Sequence, residues 1–216
     1  MKKSEENEEM VEMLRATGVL RTSGIIEAFR HVPRGMFVPD RFKRFAYEDI
    51  ALPFAKSATI SQPSIVAYML EELMPIPGSS VLEIGTGSGW LASLIGYCIA
   101  GGTIYTLEVD SDLVNMAREN IEKTGLSNII IIEHDGSGGY PEKAPYDRII
   151  YSGAMPSVPH AVIGQMKSRS ILVAPIGDKY SQKLVTLEKS EKGLKRKEGP
   201  SVIFSPIVGR FGFAKA

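Results

Sequence analysis

The sequence is short of the residues from which cross-links and metal sites are made. It holds one cysteine, Cys98, and three widely separated histidines, His31, His134 and His160. A disulfide within the chain is excluded, and a cysteine-based metal site is not expected. The histidines form no pair at helical spacing, so no metal is expected there either. Charge of one sign is not in excess, because Lys+Arg and Asp+Glu are both 25. A dominant nucleic-acid surface is therefore not expected. Long apolar runs are missing as well. No window reaches the roughly eighteen apolar residues of a membrane span, and Met1 to Glu9 is rich in Lys and Glu with no apolar h-region. Neither a membrane span nor a signal peptide is expected. What remains is ordinary globular composition, 44% hydrophobic and 23% charged over 216 residues. That length buries a substantial core and suits one cytoplasmic domain with an extension.

Two textures follow one another along the chain. Up to about residue 78 the pattern is helical. Met10, Val11, Met13 and Leu14 among charges predict an amphipathic helix ended by Gly18. Thr22 or Ser23 caps a second helix that buries Ile25, Ile26 and Phe29. The prolines of "HVPRGMFVP" break it, and residues 40–58 read as irregular. Ser61 or Gln62 opens a third helix, with Pro63 in its first turn and Ile65, Val66, Met69, Leu70 and Leu73 at helical spacing. From residue 79 strands and helices alternate: "SVLEIG", "TIYTLEV", "NIIIIEH", "DRIIYSG" and Ser170 to Pro175 are strands. The helix after the second strand is capped by Ser111 and closed by Gly125. This β-α-β alternation predicts an α/β fold with a doubly wound, mostly parallel sheet. The tail differs, with two strand-like runs about a charged turn at Glu191 to Lys197. These predict an antiparallel C-terminal pair at the sheet edge.

One loop carries the strongest chemical signal. Gly85-Thr86-Gly87-Ser88-Gly89 leaves the first strand and opens a helix, a place where backbone N–H groups approach a nucleotide closely. Alone, the pattern is equally a plain strand-to-helix turn. Three acids sharpen it. Glu83 stands two residues before the first glycine, Glu108 ends the second strand, and Asp135 follows the third. Each alone could be a solvated strand-end residue. Together they crowd one sheet edge with negative charge, which disfavours an anionic dinucleotide and suits a ligand carrying a sulfonium, S-adenosyl-L-methionine. Glu108 is placed to accept the ribose hydroxyls and Asp135 an adenine amino group.

At these residues the chain resembles a family. "VLEIGTGSGW" looks like the first motif of class I methyltransferases. "TISQP", "VLEIGTGSG", "DGSGGYPEKAPYDRI" and "VIFSPIVG", with the upstream "VPRGMFVPDRFKRFAYEDIALP", look like protein-L-isoaspartate O-methyltransferases. The resemblance runs from about His31 to Gly209. It implies one methyltransferase domain over residues 1–216, with 1–78 a helical, lid-forming extension and 79–216 a Rossmann-like core. It implies methyl transfer from S-adenosyl-L-methionine to the α-carboxylate of L-isoaspartyl residues in damaged proteins. The expected partners are such proteins or peptides, with no nucleic acid and no membrane, and a monomer is the expected state. Ser61 matches the active-site hydroxyl, and Thr59 lines the same pocket among the cofactor contacts. Glu83, Gly85, Thr86, Gly87 and Gly89 would hold the methionine part, Glu108 and Val109 the ribose end, and Asp135 and Gly136 the adenine. Ser61, Lys56, Ser152 and Gly153 would face the substrate. Two stretches depart from the family pattern. Ala55-Lys56-Ser57-Ala58 stands where Gly-x-Gly-Gln is usual, and Ser152-Gly153-Ala154-Met155-Pro156 where Thr-Ala-Ala-Ala-Pro is usual. They leave open a methyltransferase of the same fold acting on RNA or a small molecule, or a cofactor-binding paralogue with little isoaspartyl activity.

Overall fold

The computed structural model describes residues 5–55 and 58–214. Helix α1 (Glu5–Ala16) and helix α2 (Ser23–His31) lead into two 3-10 turns, Arg34–Met36 and Asp40–Phe45. Strands β1 (Leu52–Ala55) and β2 (Ala58–Ile60) form a small antiparallel sheet of their own. Helix α3 (Pro63–Leu73) precedes the main alternation: β3 (Ser80–Ile84), α4 (Trp90–Cys98), β4 (Thr103–Glu108), α5 (Ser111–Glu122), β5 (Ile129–Glu133), β6 (Tyr146–Tyr151), α6 (His160–Gly164) and β7 (Met166–Gly177). Strands β8 (Gln182–Ser190) and β9 (Gly193–Val202) close the chain's regular structure.

The main sheet has seven strands in the order β5-β4-β3-β6-β7-β8-β9. The first five are parallel, and β8 and β9 add antiparallel to β7. The chain begins this sheet at β3, winds outward through β4 and β5, then returns to the other side of β3 for β6. That reversal opens a crevice at the carboxyl ends of β3 and its neighbours, where ligands of open α/β sheets bind.

Side-chain alternation divides the core. Val81, Ile104, Ile150 and Val173 pack on one face with α1 to α5. Leu82, Ile84, Leu107, Ile149, Tyr151 and Leu172 pack on the other with Val162 of α6 and the partly buried Tyr140 and Ile207. Because strand side chains have a period of two, Glu83 shares the face of Val81. It is therefore turned toward the helices, not toward solvent. The N-terminal helices belong to that same cluster. Phe29 of α2 meets Trp90 edge-on at 5.7 Å, so the extension packs on the helix that follows the glycine loop.

Several local expectations are corrected. The cap of α5 is Asp110, whose carboxylate accepts from the N–H groups of Asp112 and Leu113; Ser111 is the first helical residue. Of the two residues expected to open α3 it is Gln62, not Ser61, that stands at the N-cap, with Pro63 in the first position as expected. Thr22 does stand at the N-cap of α2, but its hydroxyl donates to Glu71 at 2.8 Å. Residues 40–58, expected to be irregular, contain a 3-10 turn and β1. The charged turn is confined to Glu191 and Lys192, because Gly193 already begins β9. No described helix is long and apolar enough to cross a membrane.

Candidate functional site

The glycine loop is held open by its own backbone. Gly87 has φ +53° and faces free space where a side chain would stand. Gly89 has φ +83°, and a Cβ there would lie 2.9 Å from Cγ1 of Ile121. Only glycine meets both demands without strain. The loop is fastened from beneath. The N–H groups of Gly85 and Thr86 donate to the carbonyl of Leu107 at 2.8 and 3.1 Å. Asn120 donates to the Ser88 carbonyl at 3.1 Å, and Ser93 to that of Gly89 at 2.8 Å.

The three acids reach the same sheet edge but differ in what they hold. Glu83 is wholly buried. Its Oε2 accepts from the Thr106 hydroxyl at 2.5 Å, and Thr106 in turn lies 2.7 Å from the hydroxyl of Thr86. The parallel register sets Glu83 directly opposite Thr106, which explains the bond. Its other oxygen, Oε1, is buried with no protein partner. Burial pushes the Glu83 carboxyl up to about 8; the Thr106 bond opposes that shift, and the charge of Glu108 adds to it. Without a cation beside it, the neutral acid predominates at pH 7.

Glu108 accepts from the N–H groups of Gly87, Val109 and Asp110 at 3.1, 2.9 and 3.2 Å. It thereby ties the end of β4 to the glycine loop. Val109 beside it is half exposed at the crevice. Asp135 accepts from Ser137 N–H at 3.0 Å and from Arg210 N–H at 2.8 Å. Burial works against its charge, but the Arg210 and Ser137 bonds outweigh that and hold the carboxyl below its usual value. Its oxygens thus fasten the C-terminal segment, where a side chain at Gly209 would stand 2.1 Å from Oδ1. Gly136, next in the chain, packs against Leu107 and Ile84.

Thr59 and Ser61 lie together in a lining that includes neither the glycine loop nor any of the three acids. They line a cavity of about 450 Å³ together with Gln62, Ile65 and, from the opposite wall, Ser201 to Phe204. Ser152 and Gly153 do not line it. The Ser152 N–H donates to Ile84 at 2.9 Å, its hydroxyl donates to the carbonyl of Gly85, and Gly153 packs against Ile207. That pair therefore braces the glycine loop and the tail. Lys56 lies outside the described residues.

Sequence reasoning missed three residues. Thr106 carries no motif, and its contact with Glu83 comes from strand register alone. Arg34 is fully buried, and its guanidinium donates to the carbonyls of Ala46, Glu48, Ile50, Ile60 and Ser61. Asp49 accepts from Ser64 N–H at 2.8 Å and from the Gln62 side chain at 3.0 Å. The only signal for Arg34 was its position between Pro33 and Gly35. The remaining candidates are structural. Cys98 has its thiol pushed up to about 12, chiefly by burial. Trp90 is buried, with its indole N–H on the Val32 carbonyl at 3.2 Å. Among the described residues no group of three or more His, Cys, Asp or Glu is arranged to hold a metal.

Comparison with known proteins bears on the whole chain. The family model described as Protein-L-isoaspartate(D-aspartate) O-methyltransferase matches residues 5–212. A protein-L-isoaspartate O-methyltransferase of Staphylothermus marinus is 39% identical over 216 residues, covering 96% of each chain. A solved protein-L-isoaspartate O-methyltransferase superposes with TM-score 0.87 at 28% identity, covering 95% of this chain and 67% of that one. A Plasmodium falciparum structure, described as a beta-aspartate methyltransferase in complex with S-adenosyl-L-homocysteine, superposes with TM-score 0.83. At 22% identity, with 94% of this chain and 98% of that one covered, it speaks for the fold.

Proposed function

The chain belongs to the protein-L-isoaspartate(D-aspartate) O-methyltransferase family, and from that premise we propose how its own residues carry the reaction. The enzyme transfers a methyl group from S-adenosyl-L-methionine to the α-carboxylate of L-isoaspartyl residues in damaged proteins. The observation that carries the cofactor half is the unpartnered, wholly buried Oε1 of Glu83 beneath a glycine loop. A buried acceptor without a donor costs roughly 1–3 kcal/mol, so the fold keeps it for a ligand that brings a positive charge or a donor. S-adenosyl-L-methionine brings both, and when bound it supplies an electrophilic methyl group on sulfonium.

Glu83, Gly85, Thr86, Gly87 and Gly89 hold the methionine part. Glu108 keeps lone pairs beyond its three backbone bonds and accepts from the ribose hydroxyls. Val109 offers an apolar surface to the adenine, and Gly136 its backbone. Asp135 holds the C-terminal segment against that end of the crevice. Thr59 and Ser61 face the acceptor. A substrate carboxylate is already ionised at neutral pH, so no general base is needed. The chain's task is to align nucleophile and methyl group and to exclude water. Ser61 orients the carboxylate by hydrogen bonding and forms no covalent bond. The N-terminal helices, with residues 40–55 and 58–62, act as a lid that opens for cofactor exchange, a motion read by protease protection with and without S-adenosyl-L-homocysteine.

The test is methyl transfer from labelled S-adenosyl-L-methionine to a short L-isoaspartyl peptide and to its normal aspartyl twin. Transfer to the first alone is expected. No transfer, with cofactor binding confirmed by calorimetry, would overturn the acceptor assignment and point to Ala55–Ala58 as the cause.

A further inference from the structure

Nothing in the reaction just described uses the buried cation that lies under the acceptor cavity. Arg34 sends one guanidinium nitrogen to the carbonyls of Ala46 and Glu48 at 3.0 and 3.2 Å. It sends the other to Ile50, Ile60 and Ser61 at 2.7, 3.3 and 3.0 Å. Two chain segments, 46–50 and 60–61, thus converge on a single group. Among the described residues no carboxylate pairs with it directly; Asp49 acts on it only through its field. Asp49 instead grips the other end of the same segment, at Gln62 and Ser64. The Arg34 guanidinium also lies over the Trp90 ring, 5.4 Å from its centroid. Trp90 is the first residue of α4, immediately after the glycine loop.

The geometry points to Arg34 as the positioning residue of the acceptor side: it fixes the Ile60–Ser61 carbonyls, and with them the Ser61 hydroxyl, against the helix that leaves the glycine loop. Five carbonyls aimed at one point repel one another unless a cation with enough donors sits among them. Arg34 meets them with the N–H groups of its two terminal nitrogens, held in a rigid fork, while its buried Nε has no partner among the described residues; lysine offers three donors on a flexible stem. In-line transfer is sensitive to this placement, because a misplacement of about 1 Å costs roughly a hundredfold in rate. The inference rests on the reading that Ser61 meets the substrate carboxylate.

The test is a double-mutant cycle with the full chain, an L-isoaspartyl peptide and S-adenosyl-L-methionine. R34K is expected to lower kcat about ten- to a hundredfold while the affinity for S-adenosyl-L-homocysteine stays within about twofold. Introduced into S61A, it is expected to cost less than about threefold more, since two residues acting through one geometry are not additive. D49N, which loosens the Gln62–Ser64 end and keeps the cation, should lower kcat in the same direction by a smaller factor. An R34K loss of equal size in both backgrounds overturns this inference alone. So does a loss confined to thermal stability and cofactor affinity. S61A at the wild-type rate overturns the reading of Ser61 and this inference with it. If R34K does not fold, D49N decides, and an unchanged kcat there overturns the inference.

Discussion

The cofactor edge and the acceptor edge of this site are built by different means. On the cofactor edge the functional groups hang from the ends of parallel strands held in continuous register, with Glu83 opposite Thr106 and Glu108 opposite Glu133. Hydrogen-bonded ladders set their positions, and the loop between them is tied back to Leu107 and Glu108. On the acceptor edge the ladder is only the short β1–β2 pair, which ends at Ile60 opposite Leu52. Ser61 follows a short strand, β2, and precedes α3; beyond that strand its segment is tied by Arg34 at the Ile60 and Ser61 carbonyls and by Asp49 at Gln62 and Ser64. An edge fixed by a sheet tolerates single changes in polar contacts. An edge fixed mainly by one cation and one carboxylate does not. Changes on the cofactor edge should therefore appear in stability and cofactor affinity, and changes on the acceptor edge in turnover.

The sharpest way to separate the two edges is pH. Glu83 has a folded-state pKa of about 8 against an ordinary value of 4.5, so the folded protein binds more protons between those limits. Its contribution to stability is complete below the ordinary value and is lost as pH rises through about 8. The slope between these limits integrates to at most about 5 kcal/mol for this group alone. E83Q keeps an acceptor for Thr106 and removes the ionisation. Denaturant titrations from acid to pH 9 should show the slope in the wild type and lose it in E83Q. Arg34 makes no such signal, because its pKa, lowered to about 10 by burial, lies above that range. The same ionisation predicts that a cationic ligand releases a proton on binding below pH 8. Calorimetry in buffers of different ionisation enthalpy reads that release, and E83Q should abolish it. A wild-type stability flat across this range would break the comparison at its first point.

A smaller effect comes from the loop itself. G89A puts a side chain at φ +83° and within 3 Å of Ile121. Left-handed strain of about 1–2 kcal/mol and crowding of about 1–3 kcal/mol add to an expected loss of roughly 2–5 kcal/mol. Affinity for S-adenosyl-L-homocysteine should fall with it, because the helix start would move. G87A, with free space around it, should cost only its backbone strain. Chemical denaturation of the two variants side by side checks the ranking, and a G87A loss equal to that of G89A would mean that the close contact with Ile121 contributes nothing.

What could be read from the sequence follows the same division. The cofactor edge is local: strand, glycine loop and helix are consecutive, so Glu83 to Gly89 was legible as a unit, and strand ends at Glu108 and Asp135 followed from periodicity. Thr106 was not legible, since its partner is chosen by the register between two strands. Arg34 was not legible for the same reason, its carbonyl partners lying 12 to 27 residues away. Ser152 was read as facing substrate, but a hydroxyl beside a free carbonyl bonds locally, here to Gly85. Strand β9 was taken in part for a turn because Lys195, Arg196 and Lys197 are all exposed and show no apolar alternation. An edge strand that is wet on both faces loses the period-two signal, and charge on an edge also guards it against pairing with another chain.

The misread helix cap offers the smallest and most discriminating change. Asp110 follows Glu108 and Val109 and satisfies two N–H groups at the start of α5, those of Asp112 and Leu113 at 3.0 and 3.3 Å. D110A leaves both without that partner and should cost about 1 kcal/mol, as losses of such caps generally do. Glu108 is held independently, by β4 and by the N–H groups of Gly87 and Val109. The first turn of α5 should therefore loosen while the ribose-facing carboxylate stays in place. Stability should drop with the affinity for S-adenosyl-L-homocysteine unchanged within about threefold, and S111A should do neither. A D110A variant that loses cofactor affinity more than tenfold would mean that the cap, and not the sheet, positions Glu108, and the cofactor edge would then depend on single side chains as the acceptor edge does.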